Sequence, residues 1–209
     1  MLKFTAIALY GLVLCTLSDA KFVPSLQTVK SEMTNTSVGI AFPMDTSVPF
    51  GSDFLANITT HLPYGFTGFT ASSISPKMRA LAGFGTAVNG VFMPMAYYME
   101  VDSNGSQLQQ AAQGSVLTLS NQTWYDDEQE LISWLFRCQN CSGAFKANAD
   151  DDHFSLQIFW SGAEPIYPPG DNINAVLPLV NVVKEDVAFN GTAARTVEYE
   201  ELLNASGLM

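Results

Sequence analysis

Seven stretches of this chain are built from β-branched and aromatic residues, and short clusters of turn-forming residues separate most of them. The stretches are SVGIAFPM (37–44), DFLANITTHL (53–62), GVFMPMAYYMEV (90–101), SVLTLSNQTWY (115–125), LISWLFRC (131–138), FSLQIFWSG (154–162) and VLPLVNVV (176–183). Alternation of apolar with polar side chains over runs of this length is the pattern of strands. Between them lie clusters such as DTSVPFGSD, DSNGS, ANADDD and YPPGDN, which carry the Gly, Pro, Asn and Asp residues of tight reversals. A chain that turns back this often has little room for long helices. The pattern therefore predicts an all-β fold, an antiparallel β-sandwich. Only TVEYEELLNASG (196–207) offers a helical turn, and a frayed polar tail is the competing reading of that segment.

The N-terminus sets the compartment. Lys3, the apolar AIALYGLVLCTL and the small-x-small ending Ser18-Asp19-Ala20 read residues 1–20 as a secretory signal peptide. The apolar stretch is short of the ~20 residues that a membrane span needs. No second apolar run of that length follows, and the polar C-terminus lacks a lipid-anchor signal, so a secreted, extracellular protein without a membrane span is expected. Residues 21–209 read as one domain, because no linker, fixed-period repeat or low-complexity tract divides them. Glycosylation sequons agree with export: Asn35, Asn57, Asn104, Asn121, Asn190 and Asn204 stand in Asn-x-Ser/Thr. Asn140 does so too, but the next residue, Cys141, belongs to the chain's cysteine motif. The net charge of −11 repels phosphate backbones and argues against nucleic acid and anionic membranes as partners.

Removal of the signal takes Cys15 with it, leaving Cys138 and Cys141 in LFRCQNC. Zinc held by thiolates wants four ligands, and this chain offers one pair and two distant histidines. A redox dithiol wants its second half on a helix, whereas SGAFKANADDD reads as turn. In an oxidising compartment two lone thiols join, so a structural disulfide is expected.

The stretch WLFRCQNC, followed by FSLQIFWSG and a PPGD turn, resembles the cytochrome domain of fungal cellobiose dehydrogenases, of the DOMON-like class. SVGIAFP with DFLANITTHL is similar to that family's first strands. GFGTAVNGVFMPMAY is similar to its glycine-containing turn and the strand that follows, and GTAARTVEYEELL to its closing segment. An insertion of roughly a dozen residues surrounds YGFTGFTASSISPKM. The resemblance implies an antiparallel β-sandwich that holds haem b between a methionine and a histidine. It implies single-electron transfer from a flavin dehydrogenase to an acceptor such as a copper polysaccharide oxygenase. Two axial donors, a thioether and an imidazole, would carry that chemistry.

Carried over residue by residue, the family methionine falls on Val88 and the family histidine near Val180 or Asn181. Valine has no donor atom, and no histidine follows residue 153, so the sequence predicts that no cofactor is held in the family's manner. Substitute thioethers exist. Met93, Met95, Tyr97 and Met99 share one face of their strand, and Met78 lies in the inserted stretch, although methionine also serves as ordinary core filling. His61 and His153 lack a third ligand, Lys21 offers no terminal-histidine copper brace, and no metal is expected. The acidic runs Asp150–Asp152 and Asp126–Glu130 do not match a calcium loop. No nucleophile elbow or other catalytic motif is present, so the enzyme question stays open, with a non-enzymatic role favoured. The function expected is a haem-free binding or accessory module for a sugar or small apolar ligand, with an extracellular carbohydrate or redox enzyme as partner. The alternative is a haem b electron carrier with ligands outside the family pattern. Trp124, Trp134, Trp160, Tyr97, Tyr98 and Tyr167 are the candidates for stacking on a ligand.

Overall fold

The computed structural model describes residues 25–47, 50–61, 65–71, 78–88, 91–111, 114–145, 153–167 and 175–209. The signal peptide, Asp150–Asp152 and the PPGD turn lie outside them. Two sheets form the sandwich. Sheet I has the order β1 (Gln27–Ser31), β2 (Thr36–Pro43), β3 (Asp53–His61), β10 (Leu131–Gln139) and β8 (Val116–Leu119). To it are added β9 (Trp124–Asp126) on β10 and the short β14 (Arg195–Thr196), parallel to β2. Sheet II has the order β12 (Leu177–Pro178), β7 (Gln107–Gln110), β6 (Val91–Val101), β5 (Arg79–Val88), β4 (Phe66–Thr70), β11 (His153–Ser161) and β13 (Val183–Asn190), antiparallel throughout.

The period-two alternation decides which side chains meet. Val38, Ile40 and Phe42 of β2, Phe54, Ala56 and Ile58 of β3, and Ile132, Trp134 and Phe136 of β10 join Phe69, Leu81, Tyr98, Leu156 and Ile158 of sheet II in the interior cluster. Where Trp134 meets sheet II the approach is close: a Cβ at Gly83 would stand 2.7 Å from the indole ring. At one end of the interior, Thr36 Oγ1 donates to Thr60 Oγ1 (3.0 Å) and lies 3.3 Å from Thr67 Oγ1, tying the two sheets through buried hydroxyls. At the other end Phe42, Phe50, Phe54, Phe145 and Phe154 pack ring on ring, with centroids 4.5 to 6.0 Å apart.

Sheet II is covered on its second face as well. Phe66, Ala80, Ala82, Phe84, Met99 and Phe159 point away from sheet I and form a second core with Met78, Ala175 and Leu177; Met95, Tyr97, Tyr167, Leu179 and Val182 pack against it. On sheet I the outer face is half covered. Helix α2 (Tyr199–Ala205) lays Tyr199 and Leu203, four residues apart and so on one helical face, over Ala41, Leu55 and Leu135. Glu200 and Glu201 stand in its first turn, where the helix dipole favours acids. It ends with Gly207 at φ +65, as Leu208 N–H donates to the Leu203 carbonyl (2.9 Å) and Gly207 N–H to that of Asn204 (3.0 Å).

The sandwich and most strand positions agree with the sequence reading, and four local expectations are corrected. Residues 115–125 are not one strand: β8 stops at Leu119 and a turn at Asn121–Gln122 precedes β9. Residues 176–183 break at Val180–Asn181, where Asn181 has φ +52, and β13 begins only at Val183. The inserted stretch contains β4, an internal strand whose Phe66 feeds the second core and whose Phe69 feeds the interior. GFGTAV, read as a glycine turn, is part of strand β5, where Gly83 serves the close approach of the Trp134 indole rather than a reversal. Of the two readings of 196–207, the helical one holds.

Candidate functional site

Cys138 and Cys141 form a disulfide with Cα atoms 5.8 Å apart, and both are fully buried. It turns the chain from β10 into a 3-10 turn (Ser142–Ala144), whose Ala144 carbonyl accepts from Ala71 N–H (2.9 Å) and which sets Phe145 into the aromatic end of the core. The pair closes a short loop at the end of β10 and fixes the turn that follows it.

Val88 ends β5 opposite Val91, four residues beyond the Phe84 of the second core. Val180 and Asn181 lie in the turn before β13 and are exposed; the Val180 carbonyl accepts from Ser161 Oγ (2.9 Å) at the end of β11. The three positions therefore border the outer face of sheet II. Of the substitute thioethers, Met78 and Met99 are buried in the second core, Met95 packs against it, and Met93 is 43% exposed. Phe66 and Phe159 pack edge to face in the same cluster (centroids 6.4 Å), and Phe84 lies 5.3 Å from Tyr97. This cluster thus holds thioether sulfurs among aromatic rings.

Neither imidazole reaches it. His153 opens β11, six residues before Phe159, which is about 20 Å along a strand. His61 closes β3 in the other sheet and is exposed. Through Thr36, Thr60 and Thr67 the His61 end of β3 abuts the Trp160 end of β11, so the two histidines also lie at opposite ends of the molecule. Among the described residues no group of three His, Cys, Asp or Glu side chains is placed to hold a metal ion.

His153 lines an open cleft of about 640 Å³ with Gln27, Phe154, Ser155, Asp186 and Asn190. Serine, histidine and aspartate meet here without forming a relay. Ser155 stands opposite Ala188, and His153 opposite Asn190, while Asp186 stands opposite Gln157 and accepts its Nε2 (3.0 Å). The register thus sets His153 and Asp186 four residues apart, roughly 13 Å.

A second depression lies on the uncovered half of sheet I, a groove of about 250 Å³ lined by Leu26, Thr28, Ser37, Asn57, Thr59 and Trp124 with Gly39. None of these residues is charged. In its floor Thr59 Oγ1 donates to Ser133 Oγ (3.0 Å), which donates to Asn57 Oδ1 (2.6 Å). Sequence reasoning named Trp124 and Asn57 separately and missed that the fold joins them. The signal was there in the alternating hydroxyl and amide positions of SVG, NITT and LIS.

The other stacking candidates lie elsewhere. Trp134 and Tyr98 are interior residues, Tyr97 and Tyr167 pack on the second core, and Trp160 is half-buried at the end of β11. Of the sequon residues, Asn35, Asn104, Asn121 and Asn204 are exposed. Asn190 caps α1 (Gly191–Ala194), its Oδ1 accepting from Ala193 N–H (3.0 Å), and Asn140 Nδ2 donates to the Gly114 carbonyl (2.9 Å). No helix among the described residues is long and apolar enough to cross a membrane.

No protein-family model matches the sequence, and no curated protein matches it. Solved structures do match. The cytochrome b domain of pyranose dehydrogenase from Coprinopsis cinerea superposes with a TM-score of 0.62 at 18% identity, over 87% of this chain and 89% of that one. The cytochrome domain of Myriococcum thermophilum cellobiose dehydrogenase does so with a TM-score of 0.64 at 14% identity, over 86% and 88%. The fold is therefore that of the dehydrogenase cytochrome domains, as the cysteine motif and strand order implied.

Proposed function

We propose that this chain is a secreted, haem-free protein of the dehydrogenase-cytochrome fold, acting as a binding or accessory module beside extracellular carbohydrate or redox enzymes. One observation carries the reading. The second core offers sulfur donors, whereas the chain's two imidazoles stand at the end of another sheet and about 20 Å down β11. Methionine–histidine ligation of haem b needs both donors on one site, and valine or a turn asparagine supplies neither at the positions matched to the family. The signal peptide, the sequons and a disulfide all suit an oxidising, extracellular setting.

The thioethers of Met78, Met95 and Met99 favour one competing reading, an electron carrier with ligands of its own. Haemin titration separates the two. Protein secreted from haem-replete cells and then mixed with haemin is expected to show only the broad spectrum of weakly held haem. A stoichiometric, reducible species with a sharp Soret band and resolved α and β bands refutes the haem-free reading and establishes the carrier.

A further inference from the structure

We infer that the groove on sheet I is the seat of the chain's own N-linked sugar, attached at Asn57. The inference rests on the proposed secretion.

Helix α2 covers only the half of the outer face that carries Ala41, Leu55 and Leu135. The other half carries two rows across the strands. One is Lys30, Ser37, Thr59, Ser133 and Trp124, and the neighbouring one includes Thr28, Gly39 and Asn57. Short hydroxyls and an amide make the floor, and Leu26 and Trp124 make the walls.

Asn57 stands in the middle of this floor and heads the sequon Asn57-Ile58-Thr59. Its Oδ1 is held by Ser133 Oγ (2.6 Å) and approached by Thr59 Oγ1 (3.4 Å), which turns Nδ2 away from both hydroxyls. Nδ2 donates to no group of the described residues and is not a buried unpaired atom, so it faces the groove. That nitrogen is the one that takes the sugar.

The lining suits a neutral pyranose. In a chain of net charge −11 the groove has no acid or base in its lining. A pyranose presents an apolar C–H face that packs on an indole and hydroxyls that trade bonds with Thr and Ser side chains. A volume of about 250 Å³ fits the first one or two sugar units and leaves the rest of the glycan outside. Seated there, the glycan covers the half of sheet I that α2 leaves open.

The test uses the full chain secreted from a yeast host, with site occupancy read by mass spectrometry after enzymatic release in heavy-oxygen water. Asn57 is expected to be occupied in wild type and in Thr59→Ser, which keeps the sequon, and empty in Thr59→Val, which does not. Released from native protein, the Asn57 glycan is expected to come off several-fold more slowly than those at exposed Asn35 or Asn204, and Trp124→Ala is expected to erase that protection. Glycan at other sequons with Asn57 bare, whether or not the groove then takes a free saccharide, overturns the inference alone. Release from Asn57 as fast as from exposed sites also overturns it. Protein retained in the cell without sugar at any sequon overturns the secretion reading and this inference together.

Discussion

Replacing Tyr199 by phenylalanine should cost stability at neutral pH and recover it in alkali. Tyr199 Oη donates to Asp53 Oδ1 (2.9 Å), which also receives Arg137 Nε (3.0 Å), while Arg137 Nη2 reaches Oδ2 (2.7 Å). The cluster fastens α2 to β3 and β10. A hydrogen bond to a charged group contributes roughly 1.5–3 kcal/mol. Because Asp53 keeps both arginine bonds in Tyr199→Phe, no orphan acceptor results and the lower figure applies, about 1.5 kcal/mol. Desolvation first, and then the Asp53 charge and its hydrogen bond, push the Tyr199 phenol far above its ordinary pKa. The folded state thus keeps the proton while the unfolded chain loses it above pH ~10. A group raised in the folded state contributes fully below the unfolded pKa and loses that contribution as pH rises past it, here by about 1.4 kcal/mol per pH unit. The variant has no such proton. Its deficit should therefore hold from pH 7 to 9, close near pH ~11 and reverse beyond. Urea unfolding of both proteins, followed by tryptophan fluorescence across that range, measures the gap directly, and burial of Tyr98, common to both, cancels. A deficit that stays constant up to pH ~11 would refute the buried phenol–carboxylate contact.

Gly83→Ala places a methyl 2.7 Å from the Trp134 indole, in the middle of the interior. Over-packing of this kind costs about 1–3 kcal/mol, to be read as a lowered urea midpoint with the fold retained by circular dichroism. The double change of Cys138 and Cys141 to alanine opens a very short loop, for which the chain-entropy estimate is about 2 kcal/mol. Its unfolding midpoint should fall accordingly, whereas a reductant should not touch the native wild type, since both sulfurs are buried.

The parts of the fold that were legible in the sequence are those governed by local chemistry. Period-two alternation in SVGIAFP, DFLANITTH and LISWLFRC marked the three central strands of sheet I, β2, β3 and β10, nearly residue for residue, because each has one face against the interior. Sheet II was harder. With apolar side chains on both faces of β4 and β5, alternation disappears: FTGFT falls in the stretch read as an insertion and GFGTAV in the one read as a glycine turn. β1, β7 and β13 are edge or near-edge strands with polar positions, which carry little hydrophobic signal. The same limit applies to the groove. Trp124 and Asn57 are far apart in sequence, and only the Leu131↔His61 and Leu131↔Asp126 registers of β3, β10 and β9 bring them to one face. The methionine face of β6, by contrast, was readable from spacing alone.

The second core bears on the proposed haem-free reading. A sheet buried on one side still has another face, and in a β-sandwich that face is either polar or covered. Here Phe66, Phe84, Phe159, Met78, Met99 and Leu177 are almost wholly buried on it. At about 2 kcal/mol for each large apolar side chain removed from water, they contribute on the order of 10 kcal/mol, comparable to the whole net stability of a domain. That stabilisation comes from the chain's own side chains and the segment 175–182 packed across them. On the proposed haem-free reading the positions matched to the family's two ligands carry no donor, and Val180 and Asn181 are not part of the core, so their side chains are not what closes it. Donor loss and a self-sufficient second core are thus compatible in one sequence, and it is this compatibility that supports reading the protein as a scaffold for binding rather than as a cytochrome awaiting its iron.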